Sequence, residues 1–103
     1  MRGKLIVFKL FGRARHAEIM RLCRRFYGYT DYSNRGRYRY RRPGFLSRIP
    51  HVRVIRNVVL VREEDGPRVV EFLKQHRAEV HEWTVELRPQ DARALGLSIS
   101  RKR

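Results

Sequence analysis

Arginine and tyrosine alternate in the segment 34–48, which reads NRGRYRYRRPGFLSR. Arginine occupies every odd position from 35 to 41, with Tyr38 and Tyr40 between them, and the segment contains no acidic residue. A guanidinium group makes planar, bidentate contacts to phosphate, and an aromatic ring stacks on a nucleobase. These residue types at this spacing predict a surface that binds nucleic acid.

Successive side chains of an extended strand point to opposite faces. The odd-numbered arginines of this segment are therefore expected to meet phosphates, while Tyr38 and Tyr40 either stack on a base or cover the edge of the core. Further arginines along the first 62 residues would extend the contact surface. The predicted nucleic-acid-binding residues are Arg21, Arg24, Arg25, Arg35, Arg37, Tyr38, Arg39, Tyr40, Arg41, Arg42, Arg48, Arg53 and Arg56.

The charge of the chain is distributed unevenly. Its formal net charge is +15, and arginine supplies 21 of the 25 basic residues. Residues 1–62 contain 17 basic residues and two acids, whereas residues 63–103 contain eight of each. A protein made basic only for solubility would spread its charge along the chain. The asymmetry favours a binding surface for a polyanion over a merely solvated face.

Residues suited to catalysis are sparse. The four histidines lack the spacing of metal ligands, and Cys23 is the only cysteine, which excludes an internal disulfide. The acids at 63–65 precede a predicted helix start, where the helix dipole accounts for them. No glycine-rich phosphate loop occurs. The sequence predicts a non-catalytic protein with no metal site and no cofactor.

Hydrophobic periodicity predicts the strands that position these residues. Strands are expected at 4–10, as the centre of a sheet, at 37–41, at 51–63 and at 81–87. The alternation in the third of these changes phase near Arg56 and Asn57, so a bulge or a break into two strands is expected there. In the fourth, His81, Trp83, Val85 and Leu87 are expected to face the core.

Two helices and a shorter helical segment complete the pattern. Helices are predicted at 13–27 and, beginning at Pro67, up to about residue 77, with one or two turns at 89–95. The order of elements predicts an α+β, ferredoxin-like βαββαβ fold, with a four-stranded antiparallel sheet and both helices on one face. One domain is expected over 1–97, with a basic arm at 34–48 and a basic C-terminal tail at 98–103.

The partner expected of this chain is RNA, in preference to DNA. Folded RNA is read by shape, phosphate and stacking, which suits an irregular basic arm with aromatic residues, whereas a duplex-DNA reader more often presents a recognition helix. The arginine-rich composition resembles that of ribosomal and other ribonucleoprotein components. The sequence thus predicts a structural RNA-binding protein of a ribosome or another ribonucleoprotein, archaeal and cytoplasmic.

Two alternatives are a DNA-binding protein of chromatin or regulatory type and a small metal-dependent nuclease. The small CRISPR-associated nucleases look similar in fold and size, but they place a metal-binding aspartate at the end of the first strand, where this chain has Lys9 to Gly12 and no acid. The RNA-recognition motif has aromatics on its third strand, and the segment 51–63 has none. The apolar run near the amino terminus is too short to span a membrane. The sequence leaves open whether two copies of the chain pair along a sheet edge to form a homodimer.

Overall fold

The computed structural model describes residues 1–10, 12, 15–33 and 35–97, so the predicted tail at 98–103 lies outside the described residues. The chain divides into two compact units. The sheet unit comprises Met1–Gly12 and Pro50–Arg103, and the hairpin unit comprises Arg13–Ile49. The expectation that residues 1–97 form one domain stays a prediction.

The described part of the chain contains six strands and three α-helices. In chain order the elements are β1 (Arg2–Leu10), α1 (His16–Tyr27), β2 (Gly28–Ser33), β3 (Tyr38–Pro43), a 3-10 helix (Phe45–Arg48), β4 (His51–Ile55), β5 (Val58–Arg62), a 3-10 helix (Glu63–Asp65), α2 (Gly66–Gln75), β6 (Ala78–Glu86) and α3 (Pro89–Ala94).

The sheet unit is built on a four-stranded antiparallel sheet with the strand order β4-β5-β1-β6. The central position predicted for the first strand is confirmed, because β1 pairs with both β5 and β6. The expected break in the segment 51–63 is also confirmed. Asn57 has a φ of 67° and turns the chain between β4 and β5, a left-handed conformation that asparagine tolerates better than most residues.

Helices cover both faces of this sheet. The buried side chains of Ile6 and Val59 lie on the face that carries α2, whose first residue, Gly66, lies against the side chain of Lys4. The opposite face packs on α3 through a cluster that contains Leu5, Leu60, Leu87 and Leu95, together with Val52, Val85, Ala92 and Leu97. A helix thus lies on each face of the sheet, and the prediction that the helix at 13–27 shares a face with α2 stays a prediction.

One end of that second face stays open. His81 and Trp83 of β6 are expected to face the core, yet Trp83 is 53% exposed and stacks on His81 with 6.3 Å between ring centroids. Leu87, just beyond the strand, is buried as expected. The six-residue α3 is too short to cover the whole face, which explains why burial is lost at His81 and Trp83.

The α+β class and the four-stranded antiparallel sheet are confirmed, but the predicted βαββαβ order does not match exactly, because the described part of the chain has six strands and three α-helices. The segment predicted as the second strand forms β3, which pairs with β2 in a separate two-stranded sheet. The sequence GYTDYS directly after α1 supplies a partner close to β3 in the chain, so a local hairpin forms. The second and third strands of the large sheet are instead the two halves of the segment 51–63.

An ion pair between Arg88 and Asp91 lies at the start of α3. Arg88 Nε donates to Asp91 Oδ2 at 2.8 Å, and Arg88 Nη2 donates to Oδ1 at 3.2 Å. Hydrogen bonding from Arg88 lowers the pKa of Asp91 below its ordinary value of 3.8. A carboxyl group with a depressed pKa stabilises the folded state above its unfolded pKa, and this contribution is lost as the pH falls through the folded value.

We therefore expect Asp91→Asn to lower the melting temperature by a few degrees at neutral pH. The deficit relative to the unchanged protein should be smaller at about pH 3, because this lies below the ordinary pKa of 3.8 and part of the ion pair's contribution is then lost. Thermal unfolding followed by circular dichroism at the two pH values measures the difference. A deficit that is equal at both values would contradict this account of the ion pair.

Candidate nucleic-acid interface

Helix α1 separates apolar from basic side chains. Leu22 and Phe26 are buried, and the Phe26 ring lies parallel to that of Phe45 with 6.3 Å between centroids. The exposed face follows the spacing i, i+3, i+4, i+7, i+8 that places residues on one side of a helix. That face consists of Ala17, Met20, Arg21, Arg24 and Arg25.

The helix leads directly into the hairpin formed by β2 and β3. Gly28 ends α1 with a φ of 82° and begins β2, which brings its backbone close to that of Gly44. Arg41 Nη2 donates a hydrogen bond to the carbonyl oxygen of Tyr27 at 3.1 Å, across the junction. The base of the hairpin is thus fixed to the last turn of α1.

A concave surface that encloses a volume of about 660 Å³ lies between the basic face of α1 and the hairpin. We call it the arginine groove. Four arginines line it together with apolar and aromatic side chains, a combination that suits a ligand with both negative charge and flat apolar surface. The lining residues are Ala17, Met20, Arg21, Arg24, Arg25, Tyr29, Arg42 and Pro43.

The positive charge of the groove is only partly balanced. Arg42 forms an ion pair with Asp31, with 3.3 Å between Nη2 and Oδ2. Across the described residues of the hairpin unit this is the one ion pair found, so Arg21 and Arg25 have no carboxylate within 4.0 Å. Like charges at i and i+4 destabilise a helix by about 0.2–0.5 kcal/mol. An anionic ligand would remove this repulsion.

An aromatic ring orients one of the groove arginines. The guanidinium carbon of Arg24 lies 4.8 Å from the centroid of the Tyr29 ring, within the range of a cation–π contact. Because the guanidinium stacks on a ring, its edge donors stay available to an anion. Tyr29 was not among the predicted site residues, although its position directly after the helix stop at Gly28 makes it a neighbour of the last turn of α1.

Four of the predicted arginines lie together in the groove, and the other predicted arginines lie elsewhere in the structure. Arg35 and Arg37 lie in the hairpin loop, and Arg48 ends the 3-10 helix after β3. Arg53 and Arg56 belong to the sheet unit. The four residues in the groove are Arg21, Arg24, Arg25 and Arg42.

The predicted alternation of the basic segment holds only within β3. Arg35 and Gly36 have φ values of 58° and 82°, so these residues form a turn, and the strand begins at Tyr38. Arg39 and Arg41 share one face of the hairpin with Tyr32, according to the strand register. The expectation that all four odd-numbered arginines lie on one strand face is therefore wrong.

The tyrosines of β3 lie outside the buried core. Tyr38 and Tyr40 are 52% and 49% exposed, and whether they stack on bases or cover the edge of the core stays a prediction. Their face of the hairpin also carries Tyr29 and Arg42, because Tyr29 pairs with Arg42 and Asp31 pairs with Tyr40. The guanidinium carbon of Arg42 lies 5.9 Å from the Tyr40 ring centroid. We call this surface the tyrosine face.

No protein family, curated protein or solved structure matches this chain. Over the residues that the structure describes, no three or more histidine, cysteine, aspartate or glutamate side chains are grouped as metal ligands. None of the helices in the same residues has the length and apolar character needed to cross a membrane.

Proposed function

We propose that this protein is a non-catalytic RNA-binding protein, a structural component of a ribosome or another ribonucleoprotein. The arginine groove is its main contact for phosphates, and the hairpin loop with Arg35 and Arg37 extends that contact. The observation that carries the proposal is the presence of four arginines in one groove, of which, among the described residues, Arg42 alone is ion-paired with a carboxylate, that of Asp31. Guanidinium groups arranged around a concave surface bind the phosphates of a folded polyanion.

The composition of the hairpin unit supports the same conclusion. Its 37 residues contain eleven arginines, no lysine and two acids. Arginine combines charge with a flat surface that stacks on bases, whereas lysine supplies charge alone. The exposed tyrosines add stacking surface beside the charge. A surface that mixes charge with aromatic rings favours RNA over duplex DNA, whose bases are stacked out of reach.

Fluorescence anisotropy with a labelled RNA hairpin and a DNA duplex of equal length tests the proposal. We expect the RNA to bind more tightly at fixed salt. Raising the salt from about 50 mM to about 200 mM should weaken RNA binding by roughly 50-fold, because about four phosphate contacts release condensed counterions. The measurement is the slope of log affinity against log salt.

Two results would contradict the proposal. Affinity for RNA that is independent of salt would exclude a phosphate interface, and tighter binding to the DNA duplex would favour the chromatin-type or regulatory alternative. Gel analysis of the same RNA after incubation with magnesium tests the nuclease alternative, and we expect the RNA to stay intact.

We also propose that the sheet unit is a ferredoxin-like sheet interrupted by the hairpin unit. The four strands of this sheet are, in chain order, β1, β4, β5 and β6, and side by side they lie in the order β4-β5-β1-β6. Helix α2 connects β5, the third strand, to β6, the fourth. The split βαβ arrangement places its strands in this way. The hairpin unit stands in the connection between the first strand and the second.

A further inference from the structure

The register of the hairpin places three tyrosine rings on one surface. Tyr29 lies on β2, and Tyr38 and Tyr40 lie on β3, with cross-strand pairs Tyr29–Arg42, Asp31–Tyr40 and Ser33–Tyr38. Residues two apart on a strand are separated by about 7 Å. The tyrosine face therefore presents rings at regular intervals, beginning beside the arginine groove and ending at the loop.

The exposure of these rings needs an explanation. A tyrosine ring is a large apolar group that usually contributes to a core, and a two-stranded hairpin needs additional packing to be stable. Tyr38 and Tyr40 nevertheless leave about half of their surface in contact with solvent. An exposed array of rings on a small basic unit is suited to stack on flat partners that carry negative charge.

The charges on the tyrosine face indicate where the phosphates and the bases of such a partner lie. Arg42 faces both the Tyr40 ring and the carboxylate of Asp31, the one acid on this face. That carboxylate is held by Arg42, so it repels a phosphate less than a lone carboxylate does. Arg24 on the Tyr29 ring continues the positive charge into the groove. Phosphates then lie along the arginines while bases lie on the rings.

A paired base cannot use such a surface, because both of its faces are stacked within the helix. We infer that the tyrosine face binds the unpaired bases of a single-stranded RNA segment whose phosphates continue into the arginine groove. This inference rests on the proposed function and narrows it to RNA loops, bulges or single-stranded ends.

The test compares an unstructured single-stranded RNA with an RNA duplex of the same length, each titrated with the full chain at fixed salt. We expect the unchanged protein to prefer the single strand. Tyr38→Thr with Tyr40→Thr should weaken binding to the single strand by about 100-fold, at roughly tenfold for each stacked base, and leave duplex binding unchanged. Threonine keeps the β propensity of the strand.

Two control variants separate stacking from other effects. Tyr38→Phe with Tyr40→Phe keeps the rings and should retain the preference for the single strand. Tyr32→Thr removes a tyrosine that is 61% exposed on the opposite face of the same hairpin, and it should bind like the unchanged protein. Circular dichroism spectra of all variants show whether the hairpin unit stays folded.

The outcomes distinguish this inference from the proposed function. If the unchanged protein binds both RNAs with a strong dependence on salt, but Tyr38→Thr with Tyr40→Thr binds the single strand as tightly as the unchanged protein does, the inference fails while RNA binding stands. Equal losses on single strand and duplex would also overturn it, because stacking acts on unpaired bases only. Failure of the unchanged protein to bind either RNA would overturn both.

Discussion

Replacing Arg21, Arg24 and Arg25 together by glutamine is expected to lower the affinity for RNA by about 100-fold, since an exposed guanidinium–phosphate contact contributes roughly 1 kcal/mol. Glutamine preserves helix propensity, so α1 should stay folded. The slope of log affinity against log salt should also decrease by about 2, because three phosphate contacts are lost. Anisotropy titrations at several salt concentrations measure both quantities.

The matched control removes the same net charge from the sheet unit. Lys74, Arg77 and Arg93 are exposed and lie outside the hairpin unit. Their replacement by glutamine should change the affinity by no more than about threefold, as expected when only the long-range field is altered. If the two triple variants lose equal affinity, the net charge of the protein is responsible and the groove is not a site.

A second large effect is expected at the base of the hairpin. Gly44→Ala should destabilise the hairpin unit by about 3 kcal/mol, the upper part of the range for overpacked sites. A β-carbon at this position would overlap the backbone nitrogen of Gly28 and lie 2.7 Å from the carbonyl oxygen of Phe26. Backbone atoms cannot rotate away as a flexible side chain can, so β3 must move away from α1. Urea unfolding followed by tyrosine fluorescence measures the loss.

Gly36→Ala serves as the control for this substitution. Gly36 lies in the loop of the same hairpin, and an added β-carbon has nothing within 4 Å, although its φ of 82° makes alanine strained there. The expected cost is about 1 kcal/mol, from backbone conformation alone. Because Gly44→Ala opens the wall of the groove, it should also weaken RNA binding, and Gly36→Ala should not. Equal costs for the two variants would refute the close-approach argument.

Periodicity in the sequence located most elements, because each depends on residues that are near one another in the chain. The turn near Asn57 and the central strand at 4–10 follow from local patterns and are present in the structure, and the helix predicted to begin at Pro67 begins one residue earlier, at Gly66. Which strands pair with each other depends instead on competition among all the possible partner strands, which a local pattern does not reveal. The segment after Gly28 was not predicted as a strand, and that omission assigned β3 to the wrong sheet.

The residue types of the candidate site could be predicted from the sequence, but which of these residues share a surface could be predicted only in part. Clustered arginines in the sequence indicate the helix at 13–27 and the segment 34–48 as parts of the site. Which arginines share a surface depends on the register between β2 and β3, which places Arg42 beside Tyr29 and Arg41 on the opposite face. The hydrogen bond from Arg41 to the Tyr27 carbonyl oxygen likewise depends on the folded structure, and no sequence pattern predicts it.

The division into two units has an optical consequence. The single tryptophan, Trp83, lies in the sheet unit, and all five tyrosines lie between Tyr27 and Tyr40 in the hairpin unit. Indole emission therefore monitors one part of the chain and phenol absorbance the other. Melting of either part can be followed separately in the natural polypeptide, without an attached dye.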